Sequence, residues 1–182
     1  MSRSSAPSPV SLRGSRLQDF HDLMRHRVME VLLVASPYDT FLLEEAGELA
    51  ERVMGEFRNL DLHYGPGLTG VSTGAEALER LREQSRFSLV VSAARLGDMS
   101  GAELARRVRD AGLGIPVIAL AFDNLELKDF VSRSDLTCVD RVFLWQGDAR
   151  ILHAIVKYVE DKLNVAHDTR AVGVQVIILI ED

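Results

Sequence analysis

A single cysteine, Cys138, occurs in 182 residues, so no internal disulfide can form and no cysteine cluster can hold zinc. The five histidines, His21, His26, His63, His153 and His167, are scattered without an i,i+4 pair, which removes the other common zinc framework. No Lys/Arg block occurs, and the formal charge is −6, with 27 acidic against 21 basic residues. A phosphate-tracking surface for nucleic acid is therefore not expected. No apolar run approaches the roughly 20 residues of a membrane-spanning helix. The N-terminus, "MSRSSAPSPVSLRGS", lacks the apolar core of a secretory signal. Nucleotide-binding and hydrolase signatures of the G-x-G-x-x-G, Walker and G-x-S-x-G kinds are also missing. The expectation is a cytoplasmic protein with no metal, no cofactor, and neither membrane nor nucleic acid as partner.

The chain does have a globular composition, 47% apolar and 26% charged. It is long enough for one domain of about 130–150 residues with some thirty left over. Residues 1–14, rich in Ser, Pro and Gly, have little to bury and are expected to be a disordered arm. Over 15–27, Leu17, Phe20, Leu23 and Met24 fall at helical spacing behind Ser15 as N-cap, and Val28 continues the face. This predicts an N-terminal helix that packs on the domain it precedes or binds a partner. From there short apolar runs alternate with amphipathic ones. "VMEVLLVAS" (28–36), a glycine-containing region at 61–72, "FSLVVSA" (87–93), "IPVIALA" (115–121) and "DRVFLW" (140–145) read as strands. Helices are expected at 40–57, 73–83, 100–111, 124–133 and 148–164, two opened by capping boxes, Thr73 with Glu76 and Ser100 with Glu103. Five strands alternating with five helices imply an α/β fold, a doubly wound, flavodoxin-like parallel sheet covered on both faces. Ligands and chemistry in such a fold gather beyond the carboxyl ends of the strands.

Taken in order, the loops at those ends resemble the receiver domain of two-component response regulators (CheY-like). The resemblance covers residues 28–164. "LVVSAARLGDMSGAELARRVR" is similar to the family's third strand, loop and third helix, and "GIPVIALA" to its fourth strand. The family's chemistry rests on two acids after strand one, a phosphoryl-accepting Asp ending strand three, a Thr or Ser ending strand four, and a Lys ending strand five. Here the acidic pair falls on Ala35 and Ser36, the acceptor on Ala93, the hydroxyl on Ala121 and the lysine on Trp145. Gln146 stands where the family usually has a proline. Phosphoryl transfer needs the accepting carboxylate, and the Mg²⁺ that neutralises the transferring group needs hard oxygen ligands. With the carboxylates replaced, the resemblance implies a degenerate pseudo-receiver that acts through protein contacts, including those made by the fourth helix, fifth strand and fifth helix. Arg141, Lys157 and Glu160 are its candidate surface contributors.

The nearest acids are Asp39, Asp98, Asp123 and Asp148. Asp39 and Asp148 are placed to start the first and last helices, while Asp98 is the candidate for a displaced acceptor. All four are candidate rim acids for a cation. Trp145 either plugs the vacated site, with Tyr38 packed beside it, or faces outward as an anchor for a partner. Cys138 is expected to be a packing residue. A small-ligand sensor that uses the space around Ala35, Ser36, Ala93 and Ala121 is the alternative, and a phosphoacceptor at Asp98 the third.

After a linker at 165–173, "VQVIILIED" (174–182) is an apolar strand ending in Glu181 and Asp182. It resembles the first strand of a second receiver that keeps its acidic pair. A sixth strand of the same domain is the other option. The order of segments resembles the N-terminal receiver region of bacterial multidomain phosphoenolpyruvate-synthase-like, pyruvate/phosphoenolpyruvate-binding proteins. That implies a longer chain whose other domains are partners. An unpaired strand at 174–180 is expected to drive a homodimer or oligomer by strand addition or exchange.

Overall fold

The computed structural model describes residues 23–43, 45, 66–148 and 150–172. The expected arm at 1–14, the start of the N-terminal helix, most of the 40–57 helix and the tail strand 174–182 lie outside them, as do Glu181 and Asp182.

Five parallel strands form one sheet in the order β2-β1-β3-β4-β5. They are β1 (Glu30–Val34), β2 (Gly67–Val71), β3 (Leu89–Ala93), β4 (Val117–Ala121) and β5 (Arg141–Leu144). The helices are α1, described over 37–43, α2 (Gly74–Glu83), α3 (Gly101–Asp110), α4 (Asn124–Arg133) and α5 (Ile151–Val172). The alternation read from the sequence is thus the observed architecture. Strand order reverses at β1 and β3, whose carboxyl ends lie side by side with Val34 opposite Ser92. The expected site is at this switch point.

Because successive residues of a strand face opposite ways, each central strand feeds two cores. Val31, Leu33, Leu89, Val91, Ile118 and Leu120 pack with Leu43 of α1 and with Ile155 and Val159 of α5. Leu32, Val34, Val90 and Val117 pack with Ala77, Leu78 and Leu81 of α2 and with Leu104, Ala105 and Val108 of α3. A smaller group joins Ala119 and Ala121 to Ala102 and Phe130. Each fully buried Leu, Ile or Val contributes about 1.5–3 kcal/mol relative to exposure, so these two layers dominate the core. Double burial holds for β1, β3 and β4. It does not hold at the edges: in β2 only Val71 is buried, and in β5 no residue is. Cys138 packs at the rim of the α2–α3 layer, as expected.

Two expectations fail among the described residues. Residues 24–29 carry no helix, and Met24 has φ 58, so an N-terminal helix cannot continue to Arg27. The left-handed backbone at Met24 is incompatible with a helix through that residue. The linker expected at 165–173 is also helical through Val172, because no Pro or Gly interrupts 165–172 and nothing there stops the helix. The Thr169 hydroxyl donates back to the Val165 carbonyl at 2.6 Å.

The chain divides into two compact units, Val28–Val159 and a second made of both flanks. The described residues of the second are 23–27 and 160–172. No helix among the described residues is long and apolar enough to cross a membrane.

Candidate functional site

The switch point is lined by small side chains. Ala35 extends the β1 ladder by donating its N–H to the Val71 carbonyl at 3.1 Å, and it is buried. Ala93 and Ala121 end β3 and β4 and are buried as well, at 3% and 0% exposure. A carboxylate at either place would have to be desolvated or reach the rim. Helix α3 starts hard against this corner. A Cβ on Gly101 would lie 2.6 Å from the Ala93 carbonyl oxygen, so only glycine permits the approach.

Ser36 is exposed and belongs to the next helix. Its hydroxyl accepts the Asp39 N–H at 3.1 Å and donates to the Asp39 carboxylate at 2.6 Å, with Pro37 at the first helical position. The N-cap is therefore Ser36, and Asp39 supports it from within the first turn by accepting a hydrogen bond from its hydroxyl.

Asp98 has a different partner. Its two oxygens accept the N–H groups of Gly74 and Ala75, both at 2.9 Å. The Thr73 hydroxyl accepts the Glu76 N–H and the Thr73 carbonyl accepts that of Ala77. The free donors at Gly74, Ala75 and Glu76 in the first turn of α2 are thereby satisfied, and the Met99 side chain lies over Gly74. Partial burial pushes the Asp98 carboxyl up, but the Gly74 and Ala75 N–H groups, helped by Arg107, outweigh it and hold the group below the usual range.

Asp123 is the N-cap of α4 and accepts the Glu126 N–H at 2.8 Å, while the Glu126 carboxylate accepts the Phe122 N–H at 2.8 Å. Asp148 holds Arg150, accepting from the guanidinium at 2.7 Å and from the backbone N–H at 2.9 Å. The Arg150 side chain and then its N–H lower the Asp148 carboxyl to about 2. Each of the four acids serves a cap or a neighbour. Among the described residues no three His, Cys, Asp or Glu side chains gather to hold a metal.

Receiver chemistry uses Mg²⁺, and the donor set here does not fit it. Methyl groups stand at Ala35 and Ala93 and one neutral hydroxyl at Ser36. None of them offsets the dehydration of a small divalent cation.

Trp145 turns inward. Its N–H extends the ladder to the Ala121 carbonyl at 2.8 Å, and the ring packs edge-on to Phe122, with centroids 5.5 Å apart. The indole Nε1–H donates to the Asp148 carbonyl at 3.1 Å across a turn that Gly147 makes at φ 82. Both rings rest on the layer containing Ala35 and Ala93. Phe122, not Tyr38, is the aromatic partner; Tyr38 is 69% exposed. The signal for Phe122 was its place directly after Ala121, where a strand ends on the functional rim.

No family model and no curated protein matches the chain. Solved structures do. The receiver domain of a sensor histidine kinase from Pseudomonas aeruginosa PAO1, with magnesium coordinated in its active-site cleft, superposes with TM-score 0.52 at 20% identity. That match covers 73% of this chain and 98% of the other. The phosphorylated cyanobacterial phytochrome response regulator RcpA gives 0.50 at 25% identity, covering 75% and 93%. The receiver domain of a LuxO repressor protein from Vibrio parahaemolyticus gives 0.51 at 16%, covering 78% and 95%. The fold is the receiver fold.

Proposed function

We propose that this chain is a pseudo-receiver, a regulatory module of signal transduction that works by protein contacts without accepting a phosphoryl group. The observation that carries the proposal is the buried Ala93 at the carboxyl end of β3, where a receiver would present its acceptor. The indole of Trp145 and the ring of Phe122, packed on the layer that holds Ala35 and Ala93, support a closed rim rather than a small-ligand pocket. Both oxygens of Asp98 are engaged by the first turn of α2, which weighs against a displaced acceptor.

Contacts are proposed through α4, β5 and the start of α5. Leu125 and Val131 on α4 are 76% and 51% exposed, and Arg141 lies over the Tyr158 ring. These give a mixed apolar and basic surface of the kind protein partners use. The tail with Glu181 and Asp182 is proposed to begin a second receiver in a longer phosphoenolpyruvate-synthase-like protein.

The test is incubation with Mg²⁺ and acetyl phosphate, followed by prompt intact-mass measurement at mild pH beside a competent receiver. Wild type, Asp98→Ala and Ala93→Asp are all expected to stay unmodified while the control is labelled. Restoring one carboxylate at Ala93 leaves the metal without its acidic pair. An adduct on wild type that disappears in Asp98→Ala would sink the proposal.

A further inference from the structure

Two side chains of the far end of α5 hold the segment that precedes β1. Asn164 is 1% exposed, and it and Ser92 are the buried polar residues among those described. Its Oδ1 accepts the His26 N–H at 2.8 Å, and its Nδ2 donates to the His26 carbonyl at 2.7 Å. The amide thus offers His26 the donor and acceptor that a neighbouring strand would offer. A third bond, from Nδ2 to the Glu160 carbonyl at 2.9 Å, fixes the side chain against its own helix. One turn on, both oxygens of Asp168 accept the Met24 N–H, at 3.2 and 3.3 Å, and Oδ1 also meets His167 Nδ1 at 3.1 Å. Met24 reaches this position with φ 58, a conformation disfavoured for methionine and held by the surrounding bonds.

Asparagine in the interior of a helix is a weak helix former, because its amide competes for nearby backbone. Here that competition is directed at another segment. The residues concerned, 24–26 and 160–168, all belong to the compact unit built from the two flanks, apart from Val28–Val159. None of the receiver positions takes part.

We propose that Asn164 and Asp168 form a two-point clamp that joins the chain entering β1 to the chain leaving α5, and that this clamp opens as a unit of its own while the sheet stays folded. A partner bound to either flank then opens or tightens the clamp, and the other flank responds without any change at the vacated receiver site. The device is a joint between the flanks, independent of whether the domain accepts phosphate.

Amide hydrogen exchange on the full chain, read by NMR, tests it. Asn164→Leu keeps the volume and burial but removes both bonds to His26. Loss of these two partly buried hydrogen bonds is expected to speed exchange of the His26 amide by about tenfold or more. If the clamp is one unit, the Met24 amide, which bonds only to Asp168, accelerates with it. Amides of β3 and β4 keep their wild-type protection. The proposal is overturned if His26 accelerates without Met24, since the two contacts are then separate. It is overturned equally if β3 and β4 accelerate alongside, since the clamp is then part of the core, or if no amide responds. Asp168→Ala, which removes both acceptors of the Met24 N–H and so cuts the second point, must give the same paired response.

Discussion

Each acid at the carboxyl rim of the sheet has an internal partner, and that decides its chemistry. Asp98 lies in the loop after β3, five residues beyond Ala93, and both its oxygens face the first turn of α2. Removing a side-chain cap of this kind costs about 1 kcal/mol. Asp98→Ala is expected to lower stability by that amount at pH 7 in urea denaturation. The folded carboxyl sits below its unfolded value, so its contribution is full above the unfolded pKa of about 3.9 and is lost as pH falls through the folded pKa. The difference between wild type and variant should therefore shrink in acid. Trp145 is the only tryptophan, so its emission reports on its packing against Phe122 directly. Trp145→Ala is expected to cost about 2 kcal/mol, less than the ~3–5 kcal/mol of a fully buried aromatic, because the ring is half-buried. Phe122→Ala should shift the Trp145 emission to the red. An unmoved spectrum would show that the ring contact does not shield the indole.

At the scale of elements, both ends of α2, α3 and α4 fell within a residue of expectation, whereas the start of α1 and both ends of α5 did not. Thr73 and Ser100 cap α2 and α3 as their spacing to Glu76 and Glu103 predicted. The Glu103 carboxylate turns instead to Arg106 and Arg107, so only half of that box closes. The far end of α5 lies eight residues beyond the expected 164, because neither Pro nor Gly stops the helix before Val172 and Asn164 bonds to a segment distant in sequence. At 22 residues α5 is about 33 Å long, well beyond a five-residue strand of about 17 Å. Ala166→Pro is therefore expected to reduce the helical circular dichroism signal, where a true linker would show no change. Ser36→Ala should destabilise by about 1 kcal/mol through the start of α1, with no effect on metal binding.

For the whole molecule, a doubly wound sheet was legible because β1, β3 and β4 are apolar on both faces and the runs alternate with capped helices. The edge strands β2 and β5 are less buried, and their signals were correspondingly weaker. Association is the behaviour to measure at this scale. The full chain is expected to run as a dimer or larger species by light scattering, and as a monomer without residues 172–182. A monomer in both cases would remove the apolar tail strand as the cause.

The amino-acid sequence determined the layers, the parallel order of the fold and the absence of oxygen ligands at Ala35, Ala93 and Ala121, since these arise from hydrophobic period and residue chemistry. It also singled out Trp145. Only the tertiary structure decided that Trp145 lies on Phe122, that Asp98 caps α2, and that Asn164 holds His26. Each of those joins groups remote in the chain or sets a side-chain direction, and local pattern carries no information about which distant partner a polar group will meet.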